Sequence, residues 1–199
     1  MVNFHRQINF VIDIINQFSL GPDQVHVGAV SFSNWAHPEY QLRDSQDKTA
    51  IEAALRSMVQ MRGDTNTAAA LAYVQDVMLT SEYGARPDVA HVIIVLTDGK
   101  SNDPKQTAIE AKRAKSRGNV QVFAVGVGSE VDRQELANIA SQPTGQYVLT
   151  VRNYFALHTI KHLLAVKTCK GRRIDCCIQF IRLYLTSVFC TSQLTYSMA

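Results

Sequence analysis

The stretch that decides the fold is His91–Asp103, HVIIVLTDGKSND. Its apolar run, Val92–Leu96, has no polar interruption, which predicts a strand buried on both faces, as in parallel sheets covered by helices. The run ends at Thr97-Asp98-Gly99. In open α/β sheets, ligands bind outside the carboxyl ends of the strands, so Asp98 stands where binding sites are found. We therefore take Asp98 as the centre of the predicted site.

A simpler interpretation is that the residues after Asp98 only turn the chain and begin the next helix. Asp103, Pro104 and Gln106 have the pattern of an N-cap, a first-turn proline and a capping-box partner. This interpretation accounts for Asp103. It does not account for Asp98, which stays a candidate functional residue.

Helical and strand patterns alternate along the rest of the chain. This order predicts an α/β fold with a doubly wound, mostly parallel sheet, right-handed crossovers and helices on both faces. The predicted helices are Asn3–Phe18, Ile51–Met58, Ala68–Leu79, Gln106–Ser116, Asp132–Ala140 and Tyr154–Ala165. The further predicted strands are Val25–Phe32, Tyr40–Leu42, Val120–Val127 and Tyr147–Val151.

Local sequence signals place several ends of these elements. Asn3 and Asn153 are predicted N-caps, and Asp132 with Glu135 is predicted to form a capping box. Pro38 predicts a turn before a short edge strand.

Length, charge and cysteine positions restrict the class of protein. The 199 residues suggest one domain. The net charge of +3 is mild and the basic residues are scattered except near the C-terminus, which argues against a dedicated nucleic-acid surface. The apolar stretch Phe10–Ile15 is interrupted by Asp13 and is not expected to act as a signal peptide, so the chain as written would stay in the cytosol. The cysteines do not form a zinc pattern and all lie near the C-terminus, at Cys169, Cys176, Cys177 and Cys190.

We divide the chain into a domain over residues 1–169 and a tail over residues 170–199. The tail is basic and then apolar, and we expect it to be a poorly ordered appendage. Its apolar part, Ile178–Phe189, is too short and too interrupted to cross a bilayer, so no membrane role is expected.

A second polar cluster, Gly63–Thr67, precedes a predicted helix, where a threonine or aspartate is typical of a cap. In a doubly wound sheet this loop and the loop after Leu96 can lie on the same carboxyl-end rim. The hydroxyl of Thr65 and the carboxylate of Asp98 would then face each other. Oxygen ligands of this kind suit a hard cation such as Mg²⁺ and do not suit zinc.

Competing motifs are incomplete or weak. Gly126-Val127-Gly128 follows a strand, but Val131 stands where a dinucleotide fingerprint needs its third glycine. An aspartyl nucleophile at Asp98 would be expected to have a general acid two residues later, where Lys100 stands. Arg62-Gly63-Asp64 spells an integrin-recognised tripeptide, but these residues are also needed to shape the loop.

Several motifs in order carry a family resemblance: GPDQVHVGAVSFS, GDTNTAAAL, VIIVLTDGKSND, and VFAVGVG followed by ELANIAS. The chain resembles a von Willebrand factor type A domain of the collagen, matrilin and integrin-insert kind, from about residue 1 to Cys169. The resemblance implies a Rossmann-like sheet of strand order 3-2-1-4-5-6. It also implies a metal-ion-dependent adhesion site, at which an acidic group of a partner protein completes the coordination of Mg²⁺.

The resemblance assigns metal roles to two residues here. Thr65 matches the directly coordinating threonine, and Asp98 matches the aspartate that acts through water. The family's D-x-S-x-S motif and its first, central strand would lie upstream of Met1, so we expect a fragment. We also expect a gap between Val25–Phe32 and the strand of Asp98, and a site in which Mg²⁺ binding is weak or lost. Cys169 resembles a terminal cysteine whose N-terminal partner is absent.

The function expected from the resemblance is a non-enzymatic adhesion or extracellular-matrix protein-binding module. Its partner would be a matrix or cell-surface protein that presents an acidic residue, and the full-length protein would be secreted. The alternative is a metal-dependent phosphoryl or acyl hydrolase on the same kind of sheet, because fold alone does not determine function.

Overall fold

A computed structural model describes residues 2–61 and 63–162, together with the backbone of Gln179–Tyr184. The helices of this part of the chain are α1 (Val2–Ile15), α2 (Lys48–Ser57), α3 (Thr67–Tyr73), α4 (Pro104–Lys115), α5 (Arg133–Ile139) and α6 (Thr144–Tyr147). The strands are β1 (His26–Phe32), β2 (Ala36–Tyr40), β3 (His91–Thr97), β4 (Val120–Val127), β5 (Val148–Val151) and β6 (Gln179–Tyr184). A π-helical turn at Val74–Met78 extends α3, and 3₁₀ helices lie at Ser81–Tyr83 and Tyr154–Thr159.

The described strands form one sheet in the order β2-β1-β6-β3-β4-β5. Strand β2 is antiparallel to β1, and every other neighbouring pair is parallel. Helices lie between β1 and β3, between β3 and β4 and between β4 and β5, and they cover the two faces. The predicted α/β class with a doubly wound, mostly parallel sheet is confirmed.

Strand β3 is buried on both faces, as its unbroken apolar run predicts. Val92, Ile94 and Leu96 pack in a hydrophobic cluster with α1 and α2. Ile93 and Val95 pack on the opposite face, in a second cluster with α3, α4 and α5. Because successive side chains of a strand point to opposite faces, one apolar run contributes to both layers of the core.

Strand β6 occupies the centre of the sheet, between β1 and β3. Its backbone is parallel to both neighbours, and Gln179 lies opposite His26 on one side and His91 on the other. Within residues 2–61 no strand precedes β1, as predicted, but the expected open gap is wrong because β6 fills it. Unpaired backbone groups on two buried strands would each cost about 1–3 kcal/mol, and a strand drawn from residues 170–199 satisfies them.

The edge strand is confirmed, but its position differs from the prediction. We expected a turn at Pro38 and a strand at Tyr40–Leu42. Instead Pro38 lies inside β2, opposite Val30 of β1. A proline is tolerated in an edge strand because its missing N–H can face solvent instead of a neighbouring strand.

Two of the predicted N-caps have different outcomes. Helix α1 already begins at Val2, and Asn3 lies inside it, where its side chain accepts a hydrogen bond from Arg6 (3.3 Å), so the cap at Asn3 is wrong. Asn153 caps the 3₁₀ helix that follows it, because Asn153 Oδ1 accepts from the N–H of Ala156 (3.1 Å). The last residues of the helix predicted there lie outside the described residues.

Candidate functional site

Strand β3 ends in a hydrogen-bonded turn at the carboxyl edge of the sheet. The hydroxyl of Thr97, which is buried, accepts from the N–H of Gly99 (3.3 Å) and donates to the Gly99 carbonyl (3.1 Å). Asp98 lies between these two residues, so its backbone is held at the point where the strand stops. The prediction that Asp98 stands at the carboxyl rim is therefore confirmed by the fold.

The carboxyl group of Asp98 is only half satisfied. Tyr154 donates its hydroxyl hydrogen bond to Oδ2 of Asp98, while Oδ1 is buried and has no hydrogen-bond partner among the described residues. Burial raises the pKa of the Asp98 carboxyl, and the bond from Tyr154 opposes the shift. Burial, followed by the nearby Asp98 charge, also raises the pKa of Tyr154. An incompletely paired buried carboxyl is unusual in a folded protein and is typical of functional sites.

Tyr154 reaches Asp98 from the 3₁₀ helix that follows β5. Gln7 of α1 acts to lower the pKa of the Tyr154 hydroxyl, against the effect of burial, and the residue is only 1% exposed. Gln7 Oε1, like one oxygen of Asp98, has no partner among the described residues. The sequence analysis missed Gln7 and Tyr154, because they are far from Asp98 in the chain and no short motif connects them.

The second polar loop, before α3, is bound to the turn after β1. The N–H of Asn66 donates to the carbonyl of Ser33 (2.8 Å), and the N–H of Asp64 donates to Oδ1 of Asn34 (2.6 Å). Gly63 has φ of +141°, and a Cβ at this position would collide with the Asn34 side chain. Both facts require glycine at position 63.

Thr65 joins the two loops of the predicted site. It is 4% exposed, and its carbonyl accepts from the N–H of Asn102 (2.9 Å), which belongs to the loop after β3. This bond confirms that the two loops share one rim. The cap of α3 is Asn66, whose Oδ1 accepts from the N–H of Ala69 (3.0 Å), so capping does not explain the presence of Thr65.

Glu135 takes a role that the sequence analysis missed. Asp132 caps α5 as predicted, but the Glu135 carboxylate does not complete the capping box. It accepts instead from the N–H of Ser101, at 3.1 Å and 3.2 Å from its two oxygens. The spacing of Asp132 and Glu135 predicts a hydrogen bond within the first turn of α5. In the folded chain the Glu135 side chain points instead toward the loop after β3.

Two polar side chains in the loop after Asp98 already have hydrogen-bond partners. The hydroxyl of Ser101 is buried and accepts from the hydroxyl of Thr107 (3.1 Å). Asp103 caps α4, as predicted, by accepting from the N–H of Gln106 (2.9 Å). These contacts stabilise the loop and the helix start.

The oxygen atoms at the rim do not fit a tightly held Mg²⁺ ion by themselves. Thr65 offers one hydroxyl, and Asp98 offers one carboxylate whose Oδ2 already accepts from Tyr154. Among the described residues there is no group of three or more histidine, cysteine, aspartate or glutamate side chains that could hold a metal. Mg²⁺ prefers a near-octahedral set of six oxygens, and Thr65 and Asp98 are two side chains of the described rim that could contribute to such a set.

Some predictions concern residues that the structure does not describe. Arg62, and with it the geometry of the Arg62-Gly63-Asp64 tripeptide, lies outside the described residues. The same holds for the cysteines of the C-terminal part. Within residues 2–61 and 63–162, no helix has the length and apolar character needed to cross a bilayer.

Doubly wound α/β domains bind ligands outside the carboxyl ends of their strands, and this domain has two polar loops joined at that rim. It therefore belongs to the class of α/β ligand-binding domains. The family model of the von Willebrand factor type A domain matches residues 1–163. The chain belongs to this family.

Similar proteins come from the collagens and matrilins. The chain is 37% identical over 168 residues to the mouse collagen alpha-1(XX) chain, covering 84% of this chain and 12% of that protein. It is 31% identical over 168 residues to the human collagen alpha-1(XXI) chain and 35% identical over 167 residues to chicken matrilin-1, in each case over 84% of this chain. It spans 17% of that collagen and 33% of that matrilin.

Solved structures share the fold. Proximal thread matrix protein 1 from the mussel byssus, with a zinc-occupied MIDAS motif, matches with a TM-score of 0.78 and 28% identity, over 84% of this chain and 43% of that one. The manganese-loaded TRAP protein of Plasmodium vivax matches with a TM-score of 0.63 and 23% identity, over 79% of this chain and 64% of that one. Both of these proteins were solved with a metal, and the second likeness concerns the fold alone.

Proposed function

We propose that the chain is a non-enzymatic adhesion module that binds extracellular-matrix proteins through the carboxyl rim of its sheet. The observation that carries this proposal is the hydrogen bond from Asn102 to the Thr65 carbonyl, because it brings the Thr65 loop beside the loop of Asp98. Membership of the von Willebrand factor type A family supports the same surface. Collagens and matrilins are matrix proteins, which supports an extracellular location for the full-length protein.

The proposed partner is a matrix or cell-surface protein that presents an acidic residue to this rim. The adhesion site implied by the sequence motifs recognises such a residue, and the two matching positions here are Thr65 and Asp98. A nucleic-acid partner is not proposed, because the basic residues do not form a dedicated stripe.

We propose that the metal contribution to this surface is weak. One hydroxyl and one partly engaged carboxylate gain little over the hydration shell that Mg²⁺ gives up reluctantly. We expect binding no tighter than roughly the millimolar range of the weakest oxygen-ligand sites. Calorimetric titration of the purified chain with Mg²⁺ measures this directly, and micromolar binding would contradict it.

The adhesion test is a solid-phase binding assay of the full chain on collagens and other matrix proteins. Thr65→Val and Asp98→Ala are expected to reduce binding about tenfold or more, which corresponds to about 1.4 kcal/mol. The matched controls are Thr49→Val in α2 and Asp88→Ala before β3, both exposed and away from the rim. Circular dichroism confirms that each variant is folded. Equal loss in rim and control variants, or no loss in either, would contradict the proposal.

A hydrolase is the second candidate, favoured by the raised pKa of the buried Asp98 carboxyl. Under the adhesion proposal, generic phosphate and ester substrates show no turnover above buffer. Turnover by the wild-type chain that is lost in Asp98→Asn would favour the hydrolase and contradict the non-enzymatic function.

A further inference from the structure

The sheet consists of two parts that one strand holds together. Strands β2 and β1 form the first part, and β3, β4 and β5 form the second. Strand β6 lies between them: Gln179–Tyr184 is in parallel register with residues 26–31 of β1 and residues 91–96 of β3. Every residue of β6 therefore has a backbone neighbour on each side.

This central strand comes from the far end of the chain. The segment 163–178 separates it from the last residue described before it, residue 162. Its extensive contacts with other elements are those with β1 and β3. The backbone ladders on its two sides connect β6 to both parts of the sheet.

We call the position in the sheet between β1 and β3 the slot, and the strand that fills it the occupant. The two neighbouring strands restrict which segments can be the occupant. Residues 27–32 of β1 and all of β3 are buried, so the occupant lies between two strands whose faces helices already cover. Both strands run in the same direction, and the register covers six residues. An extended segment of about six residues, parallel to its neighbours and free of proline, satisfies these requirements.

The occupant also sets the distance between the two halves of the rim. The Thr65 loop is bound to the turn after β1 through Ser33, whereas Asp98 directly follows β3. Neighbouring strands lie about 4.8 Å apart, so one intervening strand places β1 and β3 roughly 9.6 Å apart. The bond from Asn102 to the Thr65 carbonyl is made at this spacing.

We propose that the slot between β1 and β3 is a strand-binding site, that Gln179–Tyr184 is its exchangeable occupant, and that occupancy sets the spacing of the Thr65 and Asp98 loops. The same strand supplied as a separate peptide binds the slot when the chain's own strand is disabled. This inference goes beyond the adhesion function and depends on neither a metal nor a matrix ligand.

The test uses the full chain with Ile181→Pro, which removes one backbone N–H from the centre of β6. Ile181→Val is the matched control, because it changes the side chain and keeps that N–H. Spin labels at Asp64 and Lys100, both exposed, report the distance between the two loops in a background with the four cysteines replaced by serine. A synthetic peptide of residues 178–187 is then added to each variant.

We expect Ile181→Pro to broaden the label distance distribution and to lower the melting temperature, and Ile181→Val to behave like the wild type. The peptide should restore a narrow distribution and the melting temperature in Ile181→Pro. The same peptide with proline at position 181 should restore neither. Wild-type behaviour of Ile181→Pro, absence of rescue, or equal rescue by the proline peptide would each overturn the proposal.

Two further measurements keep the proposal testable if Ile181→Pro does not fold alone. The variant is refolded from urea with the peptide present, and failure to recover a monodisperse folded chain counts against the slot. Separately, Ala29→Cys with Arg182→Cys joins two residues in register across β1 and β6. A disulfide here should form within one chain and exclude labelled peptide, whereas undiminished peptide binding would show that the peptide binds elsewhere. None of these readouts depends on adhesion, so they fail or succeed independently of the proposed function.

Discussion

The two halves of the rim are held in opposite ways. The Thr65 half is fixed by backbone hydrogen bonds, to Ser33 through its neighbour in sequence and to Asn102 directly. The Asp98 half depends on one side-chain bond from Tyr154 and leaves one buried carboxyl oxygen without a partner among the described residues. The backbone groups that fix the Thr65 half are therefore hydrogen-bonded, whereas the Asp98 half contains a buried polar oxygen without a partner among the described residues, which lowers stability. Removing a hydrogen bond should therefore destabilise either half, whereas neutralising Asp98 should stabilise the fold.

The largest expected effect comes from Tyr154→Phe, which removes the side-chain hydrogen bond that Asp98 accepts from Tyr154. Hydrogen bonds to charged groups contribute about 1.5–3 kcal/mol, so the free energy of unfolding should fall by an amount in that range. In an Asp98→Asn background the same change should cost only about 0.5–1.5 kcal/mol, because the acceptor is then neutral. Urea denaturation of the double-mutant cycle measures the difference, and equal costs in both backgrounds would show that Tyr154 does not act through Asp98.

The next effect tests the satisfied half of the rim. Asn66→Ala removes the cap acceptor for Ala69 and the donor to the Asn34 carbonyl, and it should cost about 1–2 kcal/mol. Asn66→Asp is the matched control, because it keeps the acceptor and loses only the donor, and it should recover most of the stability. If Asn66→Asp is as unstable as Asn66→Ala, the cap is not what holds this loop.

Asp98→Asn should have the opposite sign. Burial disfavours the charged carboxyl, so a neutral amide that still accepts from Tyr154 should raise the free energy of unfolding at pH 7 by on the order of 1 kcal/mol. The control is Asp88→Asn, an exposed aspartate before β3, which should change stability little. Thermal melts in metal-free buffer make the comparison, and a loss of stability in Asp98→Asn would remove the contrast between the two halves.

The smallest effect concerns an ion pair that joins α4 to the π-helical turn after α3. Arg113 of α4 contacts Asp76, in the turn that extends α3, at 2.7 Å, and this hydrogen bond lowers the pKa of Asp76. Both side chains are about half exposed, so the pair should contribute only about 0–1 kcal/mol. Because the folded-state pKa is lowered, this stability is present above the ordinary aspartate pKa and is lost as the pH falls through the lowered value.

Arg113→Gln should therefore lower stability slightly at pH 7 and not at all at a pH below the lowered Asp76 pKa. Lys112→Gln, an exposed change of equal charge on the same helix, is the control. A loss that is as large in acid as at pH 7 would mean that Arg113 acts through packing and not through the ion pair.

The fold and part of the site follow from local patterns. The apolar run before Thr97 predicts a buried strand, because a strand that is covered on both faces needs an apolar side chain at every position. Gly63 and Asn66 shape their loop through a positive φ and a cap, which depend mainly on near neighbours. The doubly wound order permits Thr65 and Asp98 to share one rim, but Thr65 lies between α2 and α3 and not directly after a strand. The bond from Asn102 to the Thr65 carbonyl is what brings the two loops together.

Other contacts could not be predicted from the sequence. Glu135 has the spacing of a capping-box partner, yet its carboxylate accepts from Ser101 across the rim. Pro38 looks like a turn residue, yet it lies in β2, because the edge position removes the need for its N–H. In each case the local sequence pattern is compatible with more than one structure, and a contact between residues distant in sequence decides which structure forms.

The sequence by itself determined the family, the alternating α/β order and the two polar residues at the rim, because these depend on spacing and on side-chain type along a short stretch. Only the tertiary structure decided that Tyr154 engages Asp98 and that Gln179–Tyr184 fills the centre of the sheet. The physical reason is that periodicity specifies what a segment can bury, whereas the partner of a strand edge or a buried carboxyl is whichever group the folded chain brings within hydrogen-bonding distance.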